Sequence, residues 1–148
     1  SRCNEVVLMN SNVWTDSEQK VEDRKRVAKL VQTKKDRFVS EAIPNLFQRP
    51  EGFEKEVISL VKEAKSMSVE AIARASIAMS QRRDFTEQVY SGAIPIQIIQ
   101  GENDPIAPKD RMEPIMSNYP EKFYVVSSGH MAHFEATEDV RGIIERLL

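Results

Sequence analysis

The stretch IPIQIIQGENDPIAP, residues 94–108, decides the fold, because a short apolar run is followed at once by a polar turn. The run is rich in β-branched residues and has the length of a buried strand. The turn, residues 101–108, combines Gly, Asn, Asp and Pro and presents Glu102 and Asp104 just past the strand end. This stretch therefore predicts a buried strand that delivers carboxylates to a loop.

Two further segments have strand character, one on each side of this stretch in the chain. Residues 5–11, EVVLMNS, form an apolar run without polar alternation, which is typical of a parallel strand covered on both faces. Residues 123–126, FYVV, are predicted as the third strand. Helical segments separate the strands, so all three are expected to lie parallel in one sheet. A domain that starts on such a strand leaves an open backbone edge unless another strand pairs with it.

The region between the first two strands, residues 15–90, is predicted to be mostly helical. Thr15 and Glu18 have the spacing of a capping box, in which both side chains accept hydrogen bonds from amides of a helix start. The helix that begins there is expected to run to Ala42. A closing helix, residues 137–148, is predicted to bury one apolar face, made of Val140, Ile143, Ile144 and Leu147.

The predicted elements divide the chain into two parts. A sheet-containing part comprises residues 1–14 and 91–148, and a helical insertion comprises residues 15–90. Loops at the carboxyl ends of neighbouring parallel strands converge on one crevice, where open α/β sheets build their sites. A carboxylate from the loop after the second strand is therefore expected to meet a histidine, His130 or His133, from the loop after the third. Taken singly, these residues also have structural interpretations, as turn-forming or hydrogen-bonding loop residues.

Together, GENDPIAP at residues 101–108 and SGHMAHFE at residues 128–135 resemble the acid and histidine signatures of the α/β-hydrolase superfamily. The resemblance covers essentially the whole chain, with the first strand similar to the family's sixth and residues 15–90 similar to its cap. It implies an α/β fold: the C-terminal half of a hydrolase sheet, with three parallel strands and flanking helices, plus a helical cap insertion. It also implies a serine-type hydrolase that acts on a carboxylic ester, a lactone or a similar acyl substrate.

The resemblance gives each candidate residue a role. Asp104 would hold the imidazole in the right tautomer, and His130 would deprotonate the nucleophile and later protonate the leaving group. The family's histidine directly follows a glycine, which favours His130 over His133, and the Asn-Asp-Pro placement favours Asp104 over Glu102. Glu135 matches an acidic position at the following helix start, where a carboxylate satisfies free amides.

The nucleophile of such a triad is expected upstream of residue 1. The family carries it on a G-x-S-x-G elbow, and no serine of this chain has glycines at that spacing. Ser11, at the end of the first strand, has no elbow around it. These residues alone are therefore not expected to be active, because an acid–histidine pair without nucleophile and oxyanion donors achieves little. Trp14, just past the first strand, is the predicted substrate-binding residue.

The composition argues against several other classes of function. The net charge of −2, with both signs interspersed, gives no basic face of the kind that nucleic acids require. No apolar run approaches the roughly 20 residues of a membrane span. Two histidines are too few for a zinc site, and no cofactor is expected. The single Cys3 is interpreted as an inert thiol, which suits a cytoplasmic protein.

Two alternatives stay open at the level of the sequence. The first is a catalytically incomplete fragment that acts as a self-associating structural module and forms a homodimer through its uncovered first strand. The second is an α/β-hydrolase with non-esterase chemistry, such as dehalogenation by an aspartate nucleophile. The sequence cannot separate these alternatives, because the residue that would act as nucleophile is not visible in it.

Overall fold

The computed structural model describes residues 5–148, so Cys3 and the first residues of the predicted sheet-containing part lie outside the described residues. Helices and strands follow one another in an α/β order. In the described residues, these elements are β1 (Val6–Met9), α1 (Glu18–Ala42), α2 (Glu54–Ser66), α3 (Val69–Ser80), α4 (Thr86–Tyr90), β2 (Ile96–Gly101), α5 (Lys109–Met112), β3 (Phe123–Val126), α6 (Ala132–Glu135) and α7 (Thr137–Leu147). No helix among them is both long and apolar enough to span a bilayer.

The three strands form one parallel sheet in the order β1-β2-β3, which confirms the predicted fold class. β2 lies in the centre and all of its residues are buried. It begins after Pro95, whose carbonyl accepts a hydrogen bond from Val6 N at 3.0 Å. The register pairs Met9 with Ile99 and Gly101 with Val126, so the loops after all three strands leave the same edge of the sheet.

β1 is less buried than its sequence predicts. It was expected to be covered on both faces, but Val6 is 41% and Val7 is 45% exposed. The reason is its place at the edge of the described sheet, where β2 is its hydrogen-bonded neighbour on one side. Its apolar side chains therefore form an exposed patch along that edge.

α6 and α7 cover one face of the sheet through a continuous apolar cluster. Its buried members are Ile99, Val126, Ala132, Ala136, Val140 and Ile143. The predicted inner face of α7 is confirmed for Val140 and Ile143, but Ile144 is 38% exposed. Successive helical residues are about 100° apart, so the stripe continues from Ile143 to Leu147 and leaves Ile144 outside it.

The chain divides into two compact units. The sheet unit comprises the described residues up to Val13 together with Leu46–Phe53 and Phe85–Leu148, and the helical unit comprises Trp14–Asn45 and Glu54–Asp84. The predicted insertion, residues 15–90, therefore differs from the helical unit in three places, because residues 46–53 and 85–90 belong with the sheet and Trp14 belongs with the helices.

Specific contacts explain why these two segments join the sheet unit. The buried Phe47 stacks on Phe53 and Phe134, with ring centroids 5.7 and 6.1 Å apart. Phe85 N donates to the carbonyl of Val13 at 2.8 Å, directly before α4. Aromatic burial and backbone pairing thus place both segments with the sheet, although residues 86–90 form the helix α4.

α1 starts differently from the prediction. Its N-cap is Ser17, whose hydroxyl accepts from Lys20 N at 3.3 Å, so the capping box on Thr15 is wrong. Thr15 instead donates through its backbone N and its hydroxyl to Asp84. α1 ends at Ala42 as predicted and is kinked at Lys34, which has a non-helical φ of −134°.

A buried carboxylate joins the two ends of the helical unit. Asp16, whose side chain is 5% exposed, forms ion pairs with Arg24 on α1 and with Arg82 after α3, the second at 2.8 Å. Burial by itself raises the pKa of Asp16, but the hydrogen bonds and charges of the two arginines outweigh it and lower the pKa from 3.8. Asp16 therefore contributes stability above that pH, and the contribution is lost as the pH falls through the folded-state pKa.

Replacement of Asp16 by asparagine is expected to lower the free energy of unfolding by about 2 kcal/mol at neutral pH, because two arginines lose their partner. The loss should shrink as the pH falls below 3.8 towards the lowered folded-state pKa, where the wild-type carboxyl group also becomes neutral. Urea denaturation at several pH values measures both effects. Glu22→Gln, which changes an exposed carboxylate paired with Lys25, is the control and should leave stability unchanged. Equal stability of Asp16→Asn and this control would contradict the prediction.

Candidate active site

Asp104 and His130 meet at the carboxyl edge of the sheet, on the loops that follow β2 and β3. Nδ1 of His130 lies 2.9 Å from Oδ2 and 3.1 Å from Oδ1 of Asp104. A carboxylate can only accept, so this contact places the ring proton on Nδ1 and leaves Nε2 free to take a proton. The side chain of His130 is 25% exposed and that of Asp104 is fully buried. The pair thus combines a base that is accessible to solvent with a buried acid that orients the base.

Four further donors hold the carboxylate of Asp104. Oδ1 accepts from the backbone amides of Ile106 at 2.8 Å and Ala107 at 2.9 Å. Oδ2 accepts from the side-chain amides of Asn10 at 3.0 Å and Gln100 at 3.1 Å. The first two bonds are those of a turn-forming aspartate, so Asp104 organises its own loop as well as holding the imidazole.

These donors decide the charge of Asp104. Burial alone raises its pKa, but the hydrogen bonds from His130, Ala107, Asn10 and Ile106 outweigh burial and bring the pKa below its usual range. Asp104 therefore stays ionised at neutral pH. A charged carboxylate on Nδ1 stabilises the imidazolium that forms when Nε2 takes up a proton.

Sequence reasoning missed Asn10 and Gln100, the two amides that bind this carboxylate. Asn10 ends the first apolar segment and adopts a positive φ of 44°, and Gln100 is fully buried in β2. The only signal in the sequence is that each is a polar residue at the end of an apolar strand. Buried polar residues need hydrogen-bond partners, so a polar residue at the end of an apolar strand indicates a contact with another polar group.

The glycines in the two motifs allow their loops to approach each other. A Cβ on Gly101 would collide with the carbonyl oxygen of Gly129, at the position where the acid loop passes the histidine loop. A Cβ on Gly129 would lie 2.6 Å from Gln48 N and 2.8 Å from the carbonyl oxygen of Leu46. Side chains at these positions would therefore push the two loops, or residues 46–53, apart.

Gly129→Ala is expected to lower the free energy of unfolding by about 2 kcal/mol, because the added methyl group meets backbone atoms that cannot move singly. Gly142→Ala is a matched control, since Gly142 lies within α7 and a Cβ there meets no atom within 4 Å. This control is expected to stabilise the chain by about 0.5–1 kcal/mol through helix propensity. Urea denaturation of both variants measures the difference, and a Gly129→Ala variant as stable as wild type would refute the packing argument.

Glu135 anchors the histidine loop through backbone amides. Its carboxylate accepts from Gly129 N at 2.9 Å and from Gln48 N at 2.7 Å. Next to these two hydrogen bonds, His130 N donates to the carbonyl of Leu46 at 2.8 Å. The sequence placed Glu135 at a helix start, and it lies in the first turn of α6, whose four residues also make it the last one. It does satisfy free amides, but they belong to the histidine loop and to residues 46–53.

The competing candidates lie away from the acid–histidine contact. His133 is exposed, and its ring centroid is 4.3 Å from that of Phe134. Burial of part of the ring lowers the pKa of His133, and the charge of His130 lowers it further. Glu102 is exposed to solvent. Trp14 is buried and belongs to the helical unit, and its role in substrate binding stays a prediction.

Comparisons with known proteins agree on the fold. No protein-family model and no curated protein matches the sequence. Solved structures do match, among them a thermophilic esterase from Thermogutta terrifontis, with a TM-score of 0.83, 24% identity, and coverage of 97% of this chain and 54% of that chain. The enol-lactonase from Burkholderia xenovorans LB400 has a TM-score of 0.77 at 17% identity and covers 99% of this chain and 56% of that chain.

A third match broadens the chemistry found on this fold. The bromoperoxidase from Bacillus anthracis has a TM-score of 0.70 and 17% identity over 95% of this chain and 56% of that chain. The chain thus spans about half the length of each of these structures. At such identities, the likeness establishes the fold.

Proposed function

We propose, from the premise that this chain has the fold of about half of an α/β-hydrolase, that it is the C-terminal half of a serine-type hydrolase. Its nucleophile would lie on a segment upstream of residue 1, and its substrate would be a carboxylic ester, a lactone or a similar acyl compound. The observation that carries this proposal is the 2.9 Å contact between His130 Nδ1 and the buried carboxylate of Asp104. The same contact orients the base in serine hydrolases of unrelated folds.

The proposed reaction uses the pair in two proton transfers. Nε2 of His130 takes the proton of the serine hydroxyl as its oxygen attacks the acyl carbon, and returns that proton to the departing alcohol oxygen. A water molecule, deprotonated by the same nitrogen, then releases the acid and regenerates the serine. Asp104 stays ionised throughout and stabilises the imidazolium, which agrees with its lowered pKa.

The exposed edge of the sheet supports an upstream half. The backbone of β1 has β2 as its neighbour on one side, so a further strand could pair with its other side, and elements packed on the sheet faces would cover the exposed side chains of Val6 and Val7. The solved hydrolases are about twice as long as this chain, which leaves room for such a strand and for a nucleophile elbow. We assign the helical unit the role of cap, and the location of the whole protein to the cytoplasm.

The experiment that tests this function uses the complete protein. It should hydrolyse short-chain p-nitrophenyl esters or simple lactones, and a fluorophosphonate probe should label a serine upstream of residue 1. Absence of both labelling and turnover would refute the serine-hydrolase proposal. Release of halide from haloalkanes by an unlabelled protein would instead favour an aspartate nucleophile served by the same acid–histidine pair.

A non-catalytic role is the second candidate, and the exposed β1 edge is the observation that favours it. Two copies could pair β1 with β1 across a twofold axis, which would satisfy the open backbone edge of β1. Sedimentation of the complete protein over a concentration series tests this alternative. A compact monomer at all concentrations would contradict it, while an inactive stable dimer would support it against the hydrolase.

A further inference from the structure

We propose that Asn10 is a positioning residue for the acid–histidine pair, an inference that deepens the proposed function and rests on it for its catalytic consequence. The Nδ2 group of Asn10 lies 3.0 Å from Oδ2 of Asp104 and 3.0 Å from the carbonyl oxygen of Gly129. That Oδ2 is the oxygen nearest to Nδ1 of His130, at 2.9 Å. Gly129 directly precedes His130, so one amide fixes both the acid and the backbone that carries the base.

The backbone explains why asparagine is suited to this position. Asn10 has a φ of 44°, in the left-handed region where glycine, asparagine and aspartate are the residues best tolerated. Of these three, only asparagine carries a side-chain NH₂ group with two donors. A glycine has no side chain to donate, and a carboxylate would face two acceptors. The conformation and the two hydrogen bonds together select asparagine.

The orientation of the amide follows from the same contacts. If the side-chain amide were flipped by 180°, Oδ1 of Asn10 would face the carboxylate of Asp104 and the carbonyl of Gly129, both of which are acceptors. In the observed orientation, Oδ1 is buried and has no hydrogen-bond partner among the described residues. A buried unsatisfied oxygen is destabilising, and such local costs are expected at functional sites.

Gln100 provides an internal comparison, because its amide binds the same carboxylate oxygen. Nε2 of Gln100 lies 3.1 Å from Oδ2 of Asp104 and 2.6 Å from the carbonyl oxygen of Ala107. Both of these contacts are within the strand and loop that carry the acid. Of the two side-chain amides that bind Asp104, Asn10 is therefore the one that also reaches the histidine loop.

Loss of the Asn10 amide removes the side-chain link between the acid and the histidine loop, so backbone bonds such as that from Asn103 N to the carbonyl of Ser128, at 3.0 Å, are left to hold the two loops, and the carboxylate of Asp104 can shift against the imidazole. The bond from His130 Nδ1 to Asp104 then weakens, and part of the neutral imidazole carries its proton on Nε2 instead. A ring protonated on Nε2 cannot accept the proton of a nucleophile on that nitrogen. Asn10 thus acts on the reaction through the tautomer of His130.

Asn10→Gly in the complete protein tests the inference, because glycine tolerates the positive φ and removes the amide donor together with the rest of the side chain. Nitrogen-15 NMR of the histidine rings should show His130 protonated on Nδ1 in wild type and as a tautomer mixture in the variant. In ester hydrolysis, kcat should fall about tenfold while KM changes little. Asn118→Gly, which removes an exposed amide that donates to the Tyr90 carbonyl, is the control and should change neither. An unchanged tautomer and kcat in Asn10→Gly would overturn the proposal.

Asn10→Asp is a second variant that separates positioning from folding. Aspartate has the same shape as asparagine and tolerates the positive φ at this position. It places a second carboxyl group beside Asp104, and two such groups share one proton. While that proton is held, the new hydroxyl can donate to Asp104 but not also to the carbonyl of Gly129, so kcat should fall less than in Asn10→Gly. When it is lost at higher pH, kcat should fall, which adds a limb to the pH profile that wild type lacks.

A pH profile of kcat for Asn10→Asp that has no limb beyond those of wild type would overturn the inference. The NMR readout needs no turnover, so it also distinguishes the two proposals. A complete protein without ester hydrolysis whose His130 tautomer depends on Asn10 would refute the proposed function and support the positioning role.

Discussion

His130→Ala in the complete protein is expected to lower kcat for ester hydrolysis by about 10⁴-fold or more, with KM changed far less. Within residues 5–148, the imidazole is the only group in contact with Asp104 that can act as a general base. Without it, the nucleophile must attack as a neutral hydroxyl group. Steady-state kinetics on a short-chain ester measure the loss, and an active-site serine probe measures the nucleophile separately.

His133→Ala is the matched control for this variant. His133 lies three positions further along the chain, is exposed, and packs on Phe134. It is expected to keep kcat within about threefold of wild type, as surface substitutions generally do. If His133→Ala were the inactive variant and His130→Ala stayed active, the assignment of the base would be wrong. Urea denaturation of both variants checks that the fold is retained.

The parallel sheet could be predicted because its signals are local. Residues 94–99 and 123–126 are short apolar runs bounded by turn residues, and each lies at or within a few residues of a strand. The edge position of β1 could not be predicted in this way. An apolar run specifies a strand, whereas the exposure of Val6 and Val7 depends on which neighbours lie beside it.

The sequence does not predict which segments belong to which unit, because that assignment also depends on long-range contacts. Residues 46–53 lie between two helices of the helical unit and share their mixture of apolar and charged residues. Their placement with the sheet depends on Phe47 stacking on Phe134 and on the backbone bonds to Glu135. Such long-range contacts leave no periodic pattern that could be recognised beforehand.

Half of the candidate site was visible in the sequence. Asp104 and His130 lie in recognisable motifs at strand ends, and parallel pairing of β2 with β3 brings those ends together. Asn10 lies 94 positions from Asp104, in a segment without any motif. Its role depends on a positive φ and on the pairing of β1 with β2, and neither follows from composition or spacing.

Asp104→Asn is expected to lower kcat by about 10⁴-fold, although the side chain keeps its shape. Donors from His130, Ile106, Ala107, Asn10 and Gln100 converge on the two carboxylate oxygens. An asparagine offers one oxygen and one NH₂ group, so whichever way it turns, its NH₂ group faces donors. If that group faces Nδ1, the histidine proton moves to Nε2 and the base is lost; if it faces the loop, the turn loses its acceptor. Both orientations leave buried donors unsatisfied, which should lower the free energy of unfolding by about 2 kcal/mol.

The pH dependence of stability separates this electrostatic role from simple packing. The pKa of Asp104 is lowered on folding, so its charged form stabilises the wild type above the ordinary value of 3.8, and this contribution is lost as the pH falls through the folded-state pKa. Asp104→Asn should therefore lose stability at neutral pH and approach the wild type in acid. Glu102→Gln, an exposed change on the same loop, should leave both kcat and this pH dependence unaltered. A constant difference between wild type and Asp104→Asn at all pH values would mean that the carboxylate acts by shape, and the triad assignment would then fail.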